Sequence, residues 1–219
     1  MDKKYENQEL IDKVDKISNE ILAQKGHMYI RERFFGAMID KMGLKTGAEI
    51  GVDVGEFSGK LLSGCTLEKL YGVDFWPSDF GSDFRPDFFI KEGGTRYQQC
   101  QKNLEKFIQE GRVELVKSDS VVAATKFEDN SLDFVYIDGD HSLQGIMFDT
   151  YAFTPKIRIG GICAGHDYKD GANSGVSGWD GKQLDYKVKT VVDYFCQRFG
   201  YKLNVVGGIV KSWWFVRSR

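Results

Sequence analysis

The stretch AEIGVDVGEFSG, residues 48–59, decides the fold. Its first five residues, Ala48–Val52, have the pattern of a short strand, and a helix is predicted to begin near Ser58. Between them, Gly51 and Gly55 permit a tight turn and bring backbone amides close to a ligand at the positive end of the helix. Their spacing is G-x-x-x-G, so this turn lacks the dinucleotide fingerprint G-x-G-x-x-G.

From residue 48 onward, short apolar segments alternate with amphipathic ones. This alternation predicts an α/β fold, a mostly parallel sheet with helices on both faces. The last two strands are joined by GGIVKS, residues 207–212, which predicts a hairpin and an antiparallel strand at that edge. The predicted strands are Ala48–Val52, Lys69–Val73, Val113–Lys117, Leu132–Ile137, Gly161–Ala164, Lys202–Val206 and Trp213–Arg217, and the predicted helices begin near Ser58, Thr95, Ser120, Ser142 and Asp185.

Two longer polar stretches interrupt this alternation. Residues 76–94 mix aromatic, acidic, proline and glycine residues, and residues 168–182 are rich in glycine and polar groups. Both follow predicted strands, so both are predicted to be binding loops above the carboxyl edge of the sheet.

The amino-terminal part of the chain is predicted to be helical. Residues 1–25 carry one apolar stripe, a second helix is predicted for Tyr29–Met42, and Gly43 ends it. We therefore divide the chain into a helical extension, residues 1–44, and one main domain, residues 45–219. The stripe packs on its own domain or forms the seam of a homodimer; its residues are Leu10, Val14, Ile17 and Ile21.

Composition excludes several classes of partner. The chain has 219 residues, a net charge of −2 and scattered Lys and Arg, which argues against nucleic acid and anionic membranes as main partners. Its apolar runs are too short to span a bilayer. The first ten residues, MDKKYENQEL, lack the apolar core of a signal peptide, and the four cysteines form no CxxC pair. We expect a cytoplasmic protein.

An acid and a polar triplet follow the second and third predicted strands. Asp74 comes 23 residues after Gly51, which allows one helix and a return to the end of the neighbouring strand. An acid there is placed to bind a ribose diol, although such an acid also serves as a turn or cap residue. In the triplet Ser118, Asp119 and Ser120, Asp119 either reaches an adenine amino group or caps the next helix.

Ionisable residues follow the fourth and fifth predicted strands. FVYIDGDHSL, residues 134–143, runs from a buried strand directly into Asp138, Asp140 and His141. The fifth strand ends in a similar way, at His166 and Asp167. Carboxylates and imidazoles at one sheet edge suit proton transfer or metal binding. The structural alternatives are a turn acid for Asp140 and a helix cap for His141.

The chain resembles class I S-adenosylmethionine-dependent methyltransferases. Within that class it is most similar to the macrocin O-methyltransferase-like branch, which acts on hydroxyls of sugars and secondary metabolites. The resemblance extends from about Ala48 to Tyr168 and more loosely to the end of the chain. It rests on five segments in order, AEIGVDVGEFSG, YGVDFW, VKSDS, FVYIDGDHSLQGIMFD and GGICAGHDY.

The resemblance implies roles for individual residues of this sequence. Acids matching Asp138 and Asp167 hold a divalent ion in that family, and the acid matching Asp140 is the base. His166 departs from the pattern, because the magnesium-dependent members carry an acid there. This disfavours magnesium relative to manganese or another borderline ion, and His166 or His141 could instead take the proton directly. The implied cofactor contacts are Glu49, Gly51, Gly55 and Ser58 for the methionine part, Asp74 for the ribose, Asp119 with Ser118 and Ser120 for the adenine, and Asp138 beside them.

The resulting hypothesis is an S-adenosylmethionine-dependent O-methyltransferase. Its acceptor would be a small polar hydroxyl compound of a sugar, nucleotide-sugar or secondary-metabolite type, as in carbohydrate biosynthesis, with or without assistance from magnesium or manganese. One alternative is a protein that binds the cofactor without catalysis. Another is a nicotinamide-dependent Rossmann oxidoreductase, but no tyrosine has a lysine at the fourth following position.

Overall fold

A computed structural model describes residues 7–24, 30–76, 95–177, 183–208 and 210–219. The described strands are β1 Thr46–Ile50, β2 Lys69–Asp74, β3 Val113–Lys117, β4 Leu132–Ile137, β5 Ile157–Gly165, β6 Asp170–Ser177, β7 Gln183–Lys187, β8 Asn204–Gly207 and β9 Lys211–Val216. The described helices are α1 Gln8–Leu22, α2 Arg31–Met42, α3 Glu56–Ser63, α4 Arg96–Asn103, α5 Glu105–Gln109, α6 Ser120–Ala124, α7 Leu143–Phe153 and α8 Val188–Phe199.

Seven of these strands form one sheet in the order β3-β2-β1-β4-β5-β9-β8. The five adjacent strands β3, β2, β1, β4 and β5 are parallel to one another. Strand β9 runs antiparallel to both of its neighbours, β5 and β8. The hairpin of β8 and β9 therefore adds the antiparallel edge that the short connection predicted. The predicted α/β fold, a mostly parallel sheet with helices on both faces, is confirmed, and its seven strands have a Rossmann-like arrangement.

The sheet separates two hydrophobic cores. Along β4, Phe134 and Tyr136 point to one face and Val135 and Ile137 to the other, as the alternation of a strand requires. Side chains of α1 to α5 pack on the first face, and side chains of α6 to α8 pack on the second. Because both faces are covered, the central strands are mostly apolar, with few charged residues such as Glu49 on β1 and Asp133 on β4.

The amino-terminal helices belong to the first core. Val14 and Ile21 of α1 are buried, as are Phe34 and Phe35 of α2. The stripe on α1 therefore packs on its own domain, and a homodimer through this helix stays a prediction. Gly43 adopts a left-handed conformation and ends α2, as predicted. The proposed boundary at residues 44 and 45 falls between α2 and β1.

The prediction of a loop at residues 168–182 was wrong for residues 170–177, while residues 178–182 lie outside the described residues and the binding role stays a prediction. Most of this stretch lies in β6, which pairs with β7 in a two-stranded antiparallel sheet. The helix predicted near Asp185 begins instead at Val188, because Asp185 pairs with Ala172 across the two strands. Pairing between strands overrode a local composition that favours turns. The other predicted loop, residues 76–94, lies outside the described residues except for Trp76.

No helix among the described residues combines the length and the hydrophobicity that a bilayer crossing requires.

Candidate active site

Backbone hydrogen bonds tie the carboxyl ends of the parallel strands into one edge. Each residue that follows one strand donates its amide to the end of the neighbouring strand. Segments predicted from distant parts of the sequence therefore meet at one place, the edge at which open α/β sheets bind ligands. The bonds are Gly51 N to Val73 O (2.9 Å), Asp138 N to Ile50 O (2.7 Å), His166 N to Ile137 O (3.0 Å) and Ser118 N to Asp74 O (3.0 Å).

The turn after β1 requires glycine at two positions. Gly51 has φ 88°, and a Cβ atom there would lie 2.5 Å from the Cα of Gly139. Gly55 has φ 78° at the start of α3, and a Cβ atom there would lie 2.9 Å from the side chain of Leu104. Both glycines therefore pack closely against neighbouring protein atoms, and this turn, the glycine cradle, leads into the amino end of α3.

Glu49 is a buried acid beneath this cradle. It is 1% exposed and accepts a hydrogen bond from the hydroxyl of Ser58, which is fully buried on α3. Burial raises the pKa of Glu49 well above its ordinary value, and the hydrogen bond from Ser58 offsets only part of this effect. The pair therefore connects β1 to α3 through a buried hydrogen bond.

Asp74 lies at the end of β2 and organises the same turn. Its carboxylate accepts hydrogen bonds from the backbone amides of Asp53 and Trp76, and both donor–acceptor distances are 2.9 Å. The indole of Trp76 donates to the carbonyl of Asp53 over 2.7 Å, and Arg96 forms an ion pair with the Asp53 carboxylate. Burial raises the pKa of Asp74, although the two amides oppose the shift. Asp74 thus lies at the position predicted for a ribose ligand, beside Gly51 and Gly55.

The residues after β3 are partly engaged in structure. Asp119 caps α6, accepting the amides of Val121 (2.9 Å) and Val122 (3.2 Å), so the predicted capping role is confirmed. Its contact with an adenine stays a prediction. Ser120 forms a hydrogen bond with Asp149, an acid on α7 that is 3% exposed. Burial raises the pKa of Asp149 to about 7.

Three of the predicted catalytic residues form one cluster. Asp138, His141 and His166 present ligand atoms that all lie within 4.8 Å of one another. Asp138 Oδ1 is 3.4 Å from Nδ1 of His166 and 3.5 Å from Nε2 of His141. His141 is 6% exposed, whereas 20% of the His166 side chain is exposed. The cluster therefore combines one carboxylate, one buried imidazole and one accessible imidazole.

The other two predicted acids differ in position. Asp167 has φ 47° and lies beside the cluster, with its carboxylate 3.8 Å from His166 and 3.9 Å from His141. Asp140 is exposed, and its carboxylate accepts the amide and the hydroxyl of Ser142, at 2.9 and 2.8 Å. The turn role left open for Asp140 is thus confirmed. Ser142, rather than His141, caps α7.

Sequence reasoning missed Arg31, the first residue of α2. Its Nη1 atom donates to Asp138 Oδ2 over 2.8 Å and to the Tyr136 hydroxyl over 3.3 Å. Burial alone would raise the pKa of Asp138, but the hydrogen bond with His166 and the charges of His166, Arg31 and His141 lower it below its ordinary value. Asp138 is therefore held as an anion.

A second unpredicted contact joins the cluster to the β6–β7 hairpin. The ring of Tyr186 stacks on His141 with centroids 4.7 Å apart, and Lys169 lies 4.8 Å from the centre of the Tyr186 ring. The amide of Lys187 donates to the carbonyl of His141 over 3.0 Å. The base of the hairpin thus fixes the position of His141.

The donor set allows a test of the predicted metal. Two of the three converging donors are imidazole nitrogens, whereas magnesium prefers oxygen ligands. The carboxylate donor is already paired with Arg31. The cluster therefore does not fit magnesium. Manganese tolerates imidazole better, but it would share Asp138 with a fixed cation.

The strand order and this edge define a Rossmann-like methyltransferase fold, and solved structures share it. A candidate caffeoyl-CoA O-methyltransferase from Staphylococcus aureus is 16% identical, with 96% of this chain and 98% of that chain covered and a TM-score of 0.61. An O-methyltransferase from Bacillus cereus, solved in complex with SAH (S-adenosylhomocysteine), is 14% identical. The match covers 95% of this chain and 90% of that chain, with a TM-score of 0.57. An S-adenosylmethionine-dependent methyltransferase from Aquifex aeolicus is 15% identical over 93% and 98%, with a TM-score of 0.58.

A match to a family model shows the family to which the chain belongs. Residues 48–168, more than half of the chain, match the family described as "Methyltransferase domain". The protein belongs to this family. A search of curated proteins found no match.

Proposed function

We propose that the protein is an S-adenosylmethionine-dependent O-methyltransferase whose acceptor is a small polar hydroxyl compound. One observation carries the proposal: the glycine cradle, Asp74 and the Asp138–His166 pair lie on one sheet edge. Family membership supports methyl transfer, and the names of the similar structures, including one solved with SAH, favour this cofactor and an oxygen acceptor.

The cradle suits the cofactor, because its two glycines adopt positive φ where the turn enters the amino end of α3, and glycine lets the backbone approach a ligand closely there. Gly51 and Gly55 would hold the methionine part, with the buried pair Glu49 and Ser58 supporting the turn from beneath, and Asp74 would hold the ribose. Ser118, Asp119 and Ser120 would flank the adenine. Bound S-adenosylmethionine would supply an electrophilic methyl group on a positively charged sulfur.

The acceptor hydroxyl must lose its proton as its oxygen attacks, so the site needs a base. His166 suits this role, because its Nδ1 faces Asp138 over 3.4 Å and part of its side chain is exposed. In the tautomer that donates Nδ1–H to Asp138, Nε2 is the basic atom and receives the acceptor proton. Asp138 holds the ring and stabilises the imidazolium that forms, and Nε2 of His141 lies 3.5 Å from the same carboxylate oxygen, Oδ1.

Alignment of the two reactants contributes most of the expected rate increase. Asp138 and His166 are fixed to β1 and β4 by backbone hydrogen bonds of 2.7 and 3.0 Å, so the base is held rigidly relative to the cradle. No step is assigned to a metal, because the cluster does not fit magnesium. A sugar, nucleotide-sugar or secondary-metabolite acceptor remains the proposal that the sequence resemblance supports.

Calorimetry with SAH, followed by methyl transfer from radiolabelled S-adenosylmethionine to a panel of sugar and phenolic hydroxyl compounds, tests the proposal. We expect micromolar cofactor binding, on the order of typical enzyme KM values, and transfer to at least one acceptor. Parallel assays contain EDTA. Binding without transfer to any acceptor would favour the non-catalytic alternative, and absence of binding would refute the proposal.

A further inference from the structure

Arg31 reaches the cluster from a helix outside the matched family segment, 107 residues from Asp138 along the chain. Its guanidinium carbon lies 4.8 Å from the centre of the Phe57 ring and 5.6 Å from that of Tyr136. These two rings stack with centroids 4.0 Å apart, and the Tyr136 hydroxyl is 3.0 Å from Ser212 Oγ. A cation held by a carboxylate, a hydroxyl and two aromatic faces has a fixed position.

Arg31 binds only one of the two oxygens of the Asp138 carboxylate. Oδ2 accepts from Arg31 over 2.8 Å, whereas Oδ1 faces His141 and His166. A divalent ion bound at Oδ1 and the imidazoles would lie beside the guanidinium on the same carboxylate. The two positive charges would repel each other, and an arginine does not lose its proton to relieve this repulsion.

We propose that Arg31 is the built-in cation of the active site and makes its chemistry independent of divalent ions. From Oδ2 it supplies the positive charge beside Asp138 that a metal at Oδ1 would otherwise supply. It is a positioning residue: it orients the carboxylate so that Oδ1 faces His166. The part of this inference that concerns catalysis rests on the proposed methyl transfer, whereas the part that concerns metal exclusion does not.

The test compares Mn²⁺ binding by calorimetry, without cofactor, in the wild-type protein and in Arg31→Met. Methionine keeps an apolar stem against Phe57 but carries no charge. We expect Mn²⁺ to bind Arg31→Met at least about tenfold more tightly than wild type, because the repelling charge is removed. Arg31→Lys, which keeps the charge, should remain close to wild type. Arg33→Met is the matched control, because Arg33 is exposed two residues further along the same helix.

The gained affinity should disappear in Arg31→Met/His166→Ala, which locates it at the cluster. In the activity assay, Arg31→Met should lose turnover in EDTA and recover part of it with Mn²⁺, whereas wild type should be insensitive to both. Thermal unfolding confirms that each variant is folded.

Two results would overturn the inference. One is a folded Arg31→Met that binds Mn²⁺ no more tightly than wild type. The other, which needs no variant, is stoichiometric loading of the wild-type cluster at micromolar Mn²⁺ that His166→Ala abolishes. Failure of the proposed function would appear separately, as absence of SAH binding or of methyl transfer.

Discussion

Glu49 and Asp138 are both shielded carboxyl groups at the same edge of the sheet, yet their pKa values shift in opposite directions. Glu49 has the hydroxyl of Ser58 as its hydrogen-bond partner, and burial raises its pKa. Asp138 has the guanidinium of Arg31 and two imidazoles beside it, and its pKa is lowered. Burial raises the pKa of both groups, so the opposite outcome at Asp138 comes from its hydrogen bond with His166 and from the neighbouring positive charges. Burial therefore dominates the pKa of the acid in the cofactor half, and neighbouring partners dominate the pKa of the acid in the chemical half.

The strongest test of this contrast is Asp138→Asn. The amide keeps the shape but removes the charge that would stabilise the imidazolium of His166. We expect kcat to fall by about 10²- to 10⁴-fold, the range typical of general base catalysis, with little change in the affinity for SAH. Steady-state kinetics and calorimetry measure the two effects.

Asp140→Asn is the control for that substitution, since Asp140 is an exposed turn residue two positions away. It should retain turnover within about threefold, well below the effects of catalytic groups. A large loss in Asp140→Asn, with a small one in Asp138→Asn, would assign the catalytic role to Asp140 instead of Asp138.

A second test uses Asp149, whose shift has burial as its main cause. Its pKa is raised to about 7, mainly by burial, and the negative charges of Asp140 and Asp119 contribute to this increase. Between about pH 4 and 7 the folded protein keeps a proton that the unfolded chain has lost, so the free energy of unfolding falls as pH rises, by up to about 4 kcal/mol. Asp149→Asn should flatten this dependence.

Urea unfolding of both proteins at a series of pH values from 4.5 to 7.5 measures the difference. Asp129→Asn, at an exposed acid that pairs with Lys156, is the control and should leave the slope in this window unchanged. If Asp149→Asn were as pH-dependent as wild type, burial would not govern this group.

The smallest expected effect is that of Asp74→Asn on cofactor affinity. An amide has one acceptor oxygen, so one of the bonds from Asp53 and Trp76 is lost, together with the proposed ribose contact. We expect the Kd for SAH to rise about 10- to 100-fold, as for the loss of one or two hydrogen bonds to a charged group. Glu56→Gln, at an exposed position on α3, should leave it unchanged. Equal affinities for Asp74→Asn and wild type would contradict the ribose assignment.

The parallel core of the fold was predictable because its signals are local. β3 and β4 have the predicted bounds, and the turn between β1 and α3 is dictated by glycines that must adopt positive φ. The β6–β7 hairpin was not predictable, since Asp170–Ser177 reads as a polar loop and becomes a strand only through its partner.

Some residues of the candidate site were likewise predictable from the sequence, and one was not. Sequence order placed Asp74, Asp138 and His166 at strand ends, and parallel topology then brings strand ends together. Arg31 was missed because an arginine at the start of a polar helix looks like a solvated residue. Its partner lies in a different part of the chain, and no local pattern records that contact.

The close approach of Gly51 to Gly139 has a consequence for attempts to retarget the protein. Any larger residue at position 51 would push the segment after β4 away from β1. The turn after β1 and the segment after β4 therefore form one structural unit, although about ninety residues separate them in the sequence. Chimeras built with a relative should exchange both loops together, and combinatorial libraries should leave position 51 unvaried.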